Sequence, residues 1–420
     1  MCIWWLMKNK EKTISCAKAK STERVFVGLV GIAAAWLLIT WAVSKGENVP
    51  ITFFGNLRDT GMDFFNSICH TDGRVPYTEY STLYPPLANL FFFLLRKLIP
   101  KGVPIGDAPG LRGYQAPLLL FVLFVVASVL LSIAAYERFY ERDEKIGIFS
   151  IACFFCFGNL YALERGNIIV LVLVLTFFFF TFYQSKNRLL SELALVALAL
   201  AAGLKIYPAL FGLLLLKDRE WKKAGRAVIY GLICFILPFF AFEGLEGMRI
   251  FFGQLVRMNT SSDALYGSVG VSGIMMAGFK WLGSFWDVPY LLQDAITWTV
   301  KLLAVAILLT SFFLSKSRWQ QYLDLTLLLV LFQTSYYYTL SFFLIPFIAY
   351  CRENEKLERR NIAAFVFFMI VLLPYPAFTI YKVYSTRYFL VVLAMGIAVI
   401  LETVCMMKAL LYTDQGVIKN

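Results

Sequence analysis

The fold is decided by residues 167–216, which read NIIVLVLVLTFFFFTFYQSKNRLLSELALVALALAAGLKIYPALFGLLLL. This stretch holds two apolar runs, 167–185 and 189–216, joined by a short turn that carries Lys186 and Arg188. About 20 apolar residues in a helix cross a bilayer, and a helix satisfies its own backbone hydrogen bonds there. The pattern therefore predicts a helical protein embedded in a membrane.

The composition extends this prediction to the whole 420-residue chain. Hydrophobic residues make up 60% of it and charged residues 16%, against roughly 45–50% and 25% in soluble globular domains. A soluble enzyme is therefore excluded. The 40 Phe and 22 Tyr exclude a disordered chain, and the sequence lacks the alternating pattern of an outer-membrane barrel. The predicted fold class is an all-α polytopic membrane protein.

Similar apolar runs recur along the chain and predict about 11 to 12 transmembrane helices. The runs cover residues 23–44, 113–136, 146–163, 167–185, 189–216, 224–243, 290–314, 319–334, 338–351, 361–381 and 386–411, with a shorter run at 84–99. Two arrangements fit. In the first, 84–99 spans the membrane and 189–216 is one helix. In the second, which we favour, 84–99 lies in the interface and 189–216 is two short helices broken between Gly203 and Pro208. A Gly and a Pro beside the lone Lys205 are typical of a break that lines a polar cavity.

The formal charge of +12 predicts orientation rather than nucleic-acid binding. The 39 Lys and Arg lie along the loops between apolar runs and form no stripe interleaved with exposed aromatic residues. Basic loops face the cytoplasm. We therefore expect one domain over 1–420, with a cytoplasmic tail at 1–22, a first outer loop with interfacial helices at 45–112, and a second large outer loop at 244–289.

The first outer loop holds a candidate general base. Asp63 lies in the sequence RDTGMDFF, where apolar neighbours near the bilayer surface would desolvate its carboxylate and so tune it as a base. Asp59 in the same sequence is a candidate substrate-binding residue and the fallback for the base. Tyr84 opens the later YPPL sequence and is a candidate substrate-binding residue.

Candidate phosphate-binding residues flank the two apolar runs quoted above. The phosphate-binding candidates are Arg165, in the sequence ERGN before the first run, and Lys205, in KIYP inside the second. Asn167 and Tyr207 of the same two sequences are candidate substrate-binding residues. A cation deep in a span costs roughly 2.5–3.5 kcal/mol, so such a residue is a functional candidate by default. A Lys and an Arg at neighbouring helix ends would suit a phosphodiester.

The second outer loop offers weaker candidates. Arg257 is a possible second phosphate contact, and Asn259 a possible substrate contact. The Gly-rich residues 267–273 predict either a flexible cap over the site or an ordinary loop. The CxxC pair at Cys153 and Cys156 lies in an apolar run and indicates helix packing, so we expect no metal site.

The order DF, YPPL, RGN and GLKxYP resembles glycosyltransferase family 87, the polyprenol-phosphate-mannose-dependent mannosyltransferases of the GT-C superfold, most clearly over residues 55–260. The resemblance implies a polyprenyl-phosphate-sugar donor, a glycolipid or polysaccharide acceptor, and inversion by an acidic base without metal or other cofactor. By position, Asp63 matches the acidic base, Lys205 the KxYP lysine, and Arg165 with Asn167 the RGN sequence. This chain departs from the pattern at 333–338, QTSYYY, where family members often carry Trp and His-Tyr.

The expected location is a bacterial plasma membrane, with the site facing outward and the protein surrounded by lipid bilayer. Two other functions stay open. A transporter or lipid flippase would also place isolated charges in the membrane, although the sequence shows no internal repeat typical of transporters. A polymerase or ligase that uses polyprenyl-diphosphate donors is the second alternative.

Overall fold

The computed structural model describes residues 21–48, 60–141, 147–260, 265, 267–283, 285–286, 288–332, 334–354, 356–358, 361–381 and 384–417. The helices are α1 Ser21–Ser44, α2 Met62–His70, α3 Pro86–Arg96, α4 Ala108–Arg112, α5 Gln115–Tyr140, α6 Ile148–Phe154, α7 Phe157–Arg165, α8 Ile169–Phe182, α9 Arg188–Leu204, α10 Leu213–Lys217, α11 Trp221–Ile236, α12 Gly244–Thr260, α13 Val271–Leu282, α14 Tyr290–Leu314, α15 Arg318–Phe332, α16 Leu344–Glu353, α17 Ile362–Leu372 and α18 Thr386–Val417. Turns of 3-10 helix cover Asp72–Arg74, Tyr207–Gly212, Leu237–Ala241 and Tyr337–Phe343, and strands β1 Thr379–Tyr381 and β2 Tyr384–Ser385 pair antiparallel.

Five of the described helices are long and apolar enough to cross a membrane: Thr22–Ser44, Gln115–Tyr140, Trp221–Ala241, Tyr290–Leu314 and Thr386–Val404. A sixth crossing results if α6 and α7, which meet at a bend of 56°, count as one span. The protein is therefore a helical, multi-pass membrane protein. The finer count of 11 to 12 spans stays a prediction, because the other apolar runs form helices that end early.

The long helices surround a core of shorter ones. No residue of α11 is buried, although its sequence is largely apolar, as expected of a helix facing lipid. The 14 residues of α8 are hydrophobic apart from two threonines, and most of them are buried. Their length is about 21 Å, against a hydrocarbon thickness of about 30 Å. The apolar character of α8 therefore reflects burial in protein rather than contact with lipid.

The run 189–216 is broken where the sequence predicted. Helix α9 ends at Leu204, Lys205 is extended (φ −148°, ψ 125°), and the chain continues as the 3-10 turn Tyr207–Gly212 and α10. At the far end of α10, the Asp218 carboxylate accepts a hydrogen bond of 2.9 Å from the Tyr183 hydroxyl at the end of α8. The chain therefore runs out along α9 and returns along α10, which leaves Lys205 at the tip.

The two stretches assigned to outer loops contain helices and contact each other. The Glu243 carboxylate accepts hydrogen bonds from the backbone N–H groups of Tyr77, at 2.9 Å, and of Thr78, at 3.1 Å. The Tyr77 ring packs on Phe239 and Phe251. Within the stretch 244–289, residues 267–273 were expected to form a flexible cap or an ordinary loop, but α13 begins at Val271 and α12 covers Gly244–Thr260. The expectation was based on glycine content, whereas the apolar residues of these segments form helices.

Candidate functional site

The Asp63 carboxylate is held by two side chains from the RGN turn. Arg165 donates to it through Nε at 3.3 Å and through a terminal guanidinium nitrogen at 3.1 Å, and the Asn167 side-chain amide donates at 2.6 Å. Both charged side chains are largely but not fully covered, with 18% of Asp63 and 20% of Arg165 exposed. The three residues thus form one hydrogen-bonded, partly exposed unit.

The backbone explains why residues 102 apart in sequence meet so closely. Gly166 ends α7 in the left-handed conformation (φ 68°), and Gly61 begins α2 in the same conformation (φ 71°). The Gly61 N–H donates to the Glu164 carbonyl at 2.7 Å, and the Thr60 hydroxyl donates to the Glu164 carboxylate at 2.5 Å. The turn after α7 is therefore docked on the start of α2, directly beside Asp63.

Lys205 lies at the tip of the broken run and faces aromatic rings. Its ammonium is 4.0 Å from the centroid of the Tyr84 ring and 5.5 Å from that of Tyr338. Within the described part of the chain, no hydrogen bond or ion pair reaches this ammonium. Asp63 is close enough to interact with it electrostatically. A half-buried cation beside a held carboxylate is thus available for a ligand.

Tyrosines line the space around the carboxylate and the ammonium. The Tyr338 ring lies 6.4 Å from Tyr161 and 6.1 Å from Tyr336, measured between centroids. The Tyr207 hydroxyl is buried and has no hydrogen-bond partner among the described residues. Burial, and then the Asp63 carboxylate, raise the pKa of Tyr84 well above its usual value, so this phenol stays protonated. Aromatic faces and hydroxyl donors are groups that suit a sugar ring.

Not every predicted site residue joins this cluster. Arg257 is exposed on α12, and the contacts that assemble the cluster come from other elements. The side chain of Asn259 and all of Asp59 lie outside the described residues. The phosphate-binding role expected of Arg165 stays a prediction, since its guanidinium is hydrogen-bonded to the Asp63 carboxylate.

Two residues near Asp63 and Lys205 were missed from the sequence, Tyr161 and Tyr338. Tyr161 precedes Arg165 by one helical turn, and the Arg165 guanidinium lies 5.9 Å from the Tyr161 ring centroid. Tyr338 belongs to the QTSYYY sequence, which had been noted only as a departure from the family pattern. An aromatic residue one turn from a functional arginine was the available signal.

Gly166→Ala is expected to disrupt the site and destabilise the protein. A Cβ at this position would lie 2.7 Å from the Phe64 Cβ and 2.8 Å from the Phe121 ring, and φ is positive. Strain and overpacking together predict a loss of roughly 2–5 kcal/mol. Thermal unfolding of the purified variant would show it. Gly231→Ala is the matched control, because a Cβ there meets nothing within 4 Å; equal unfolding midpoints for the two variants would contradict the prediction.

Comparison with known proteins confirms the resemblance seen in the sequence. The family model of glycosyltransferase family 87 matches residues 82–374, well over half of the chain. The match covers Arg165, Asn167 and Lys205 and continues far beyond residue 260, but it begins after Asp63. No curated protein and no solved structure matches the chain. The role of Asp63 therefore depends on geometry rather than on the match.

Proposed function

The chain belongs to glycosyltransferase family 87 and is a membrane glycosyltransferase, and from this premise we propose its reaction. The enzyme moves a sugar, mannose or a related hexose or pentose, from a polyprenyl-phosphate donor to a hydroxyl group of a lipid-linked or polysaccharide acceptor. The proposal is based mainly on one observation, that a potential base and a potential phosphate-binding cation lie close together. A held carboxylate, Asp63, and a cation with no ion-pair partner among the described residues, Lys205, face the same tyrosine-lined space.

The proposed reaction is a single displacement at the anomeric carbon. The acceptor hydroxyl attacks that carbon and its proton passes to the Asp63 carboxylate, while the bond between the sugar and the phosphate oxygen breaks. The departing phosphate gains negative charge, which the Lys205 ammonium stabilises. Attack opposite to the leaving group inverts the anomeric configuration. Metal independence stays a prediction from the family resemblance.

Arg165 receives a second role in this proposal. Its two contacts with Asp63, together with the Asn167 amide, fix the carboxylate while the substrates bind. When Asp63 takes the acceptor proton, its charge is lost and the ion pair with Arg165 weakens. The guanidinium can then interact more strongly with the phosphate that is gaining charge. Arg165 therefore links proton uptake to departure of the leaving group.

The site is proposed to face away from the cytoplasm. Asp63 and Lys205 lie at one end of the bundle, whereas Tyr183, Asp218 and the basic residues near them lie at the other. We expect Lys205→Cys to react with an impermeant maleimide on intact cells and Lys222→Cys only after lysis, both in a cysteine-free background. Labelling of position 205 only after lysis would reject this orientation.

Donor consumption tests the proposed reaction directly. Purified protein is incubated with a panel of polyprenyl-phosphate sugars, a polyprenyl-diphosphate sugar and a nucleotide sugar, each with a glycolipid extract as acceptor. We expect release of polyprenyl phosphate from a monophosphate donor by the wild type and little release by Asp63→Asn. Consumption of only the diphosphate donor would instead favour the polymerase or ligase alternative. Consumption of only the nucleotide sugar would overturn the lipid-donor proposal.

A further inference from the structure

A second polar cavity lies at the opposite end of the bundle from Asp63. Its volume is about 610 Å³, and it is enclosed by the last residues of α5, α8 and α16 and the first residues of α9 and α15. Helix α8 separates the two places: it begins two residues after Asn167 and ends at Phe182, which lines the cavity. A 14-residue helix is about 21 Å long, so the cavity is not part of the transferase site.

Three guanidinium groups line the cavity, and their surroundings differ. Arg318 is paired with Asp218 at 3.0 Å, and Arg352 with Glu141 at 3.1 Å. The Arg138 guanidinium lies 5.2 Å from the Phe182 ring centroid, and no hydrogen bond or ion pair to it occurs in the ranges that the structure describes. Arg138 is thus the cation that remains available to an anion.

The carboxylates nearby are already engaged. Glu353, which also lines the cavity, accepts hydrogen bonds from the Ser317 hydroxyl and from the Trp319 N–H at the start of α15. The carbonyl ends of three helices would by themselves repel an anion. This repulsion is reduced, because Arg352 donates to the Phe139 carbonyl at 3.1 Å. The lining holds three arginines against two carboxylates, Glu141 and Glu353, which leaves a formal charge of +1.

We propose that this cavity binds a phosphate-bearing anion with an organic body, either the headgroup of an anionic phospholipid or a free organic phosphate. The volume lies in the range of about 300–1,000 Å³ typical of organic ligands and is far larger than one phosphate needs. Phe139, Phe180 and Leu190 contribute apolar groups to the cavity lining. Basic groups at the cytoplasmic surface of the membrane, where we place this end of the bundle, attract anionic lipid headgroups. The proposal does not depend on the transfer reaction.

Two probes distinguish the sources of the phosphate. Detergent-purified protein is titrated with phosphatidylglycerol, using phosphatidylcholine as the uncharged comparison, and retained lipid is counted by native mass spectrometry. A second arm measures binding of inorganic diphosphate by calorimetry. We expect Arg138→Gln to weaken binding of at least one negatively charged probe by about 10-fold or more, and Arg138→Lys to weaken it less.

Arg188→Gln is the matched control. Arg188 is an exposed arginine at the same end of the bundle, at the start of α9, and it does not line the cavity. Loss of phosphatidylglycerol binding in Arg138→Gln alone would assign a lipid headgroup, and loss of diphosphate binding alone a soluble phosphate. If Arg138→Gln and Arg188→Gln bind both probes equally well, or if the wild type binds neither, the proposal is wrong. If Arg138→Gln fails to fold, the comparison is made with Arg138→Lys.

Discussion

Replacement of Asp63 by asparagine is expected to lower the transfer rate by about 10²–10⁴-fold, the usual contribution of a general base. The amide has the size of the carboxylate, and its oxygen, in the place of Oδ2, can still accept hydrogen bonds from Arg165 Nε and from the Asn167 amide, while the bond from Arg165 to Oδ1 is lost. It cannot take the acceptor proton. The rate is measured as release of polyprenyl phosphate at saturating donor, alongside donor affinity.

Donor affinity should be kept in Asp63→Asn, because in the proposed complex the substitution removes a negative charge that would repel the bound phosphate. Asp72→Asn is the matched control. Asp72 lies in the same outer stretch and is paired with Arg96 at 3.4 Å, so this control also removes a carboxylate from an ion pair. We expect the control to keep wild-type activity. A rate for Asp63→Asn within about threefold of wild type would exclude Asp63 as the base and direct attention to Asp59.

The break at Lys205 was predictable because it depends on local chemistry. Proline lacks the N–H that a helix needs, and the lone lysine in an apolar run requires a polar surrounding. The structure places the end of α9 at Leu204, inside the predicted interval. The number of membrane spans could not be predicted in the same way. It depends on whether an apolar segment faces lipid or protein, and apolar content alone does not distinguish these two environments, as α8 illustrates.

The sequence identified part of the candidate cluster, but neither its tyrosines Tyr161 and Tyr338 nor its contacts. Asp63, Arg165 and Lys205 were each identified by residue type and position, yet the sequence assigned Arg165 to the phosphate. Its contact with Asp63 joins residues 102 apart and depends on two left-handed glycines, Gly61 and Gly166. Pairing over such a separation is a property of the packed helices, and a single sequence contains no direct record of it.

Replacement of Lys205 by methionine is expected to lower turnover by roughly 10- to 150-fold, since a charge-assisted contact is worth about 1.5–3 kcal/mol. In the proposed reaction the ammonium acts most strongly when the leaving phosphate gains charge, so kcat should fall more than donor affinity. Lys205→Arg should restore only part of the rate, because a planar guanidinium does not occupy the place of a compact ammonium between the Tyr84 and Tyr338 rings.

Lys205→Met should fold as well as the wild type. A folded variant with low turnover separates a catalytic role of Lys205 from a structural one. Methionine keeps an unbranched apolar side chain at the site, and its burial costs less than that of an ammonium. Lys97→Met is the matched control: the Lys97 ammonium lies 4.9 Å from the Phe93 ring centroid, so the same substitution removes the same kind of ring contact outside the cluster. If both variants keep wild-type turnover, Lys205 does not contact the departing phosphate. If Lys205→Met unfolds at a much lower temperature than Lys97→Met, the ammonium instead stabilises the fold through Asp63, and the phosphate contact must be sought on Arg165.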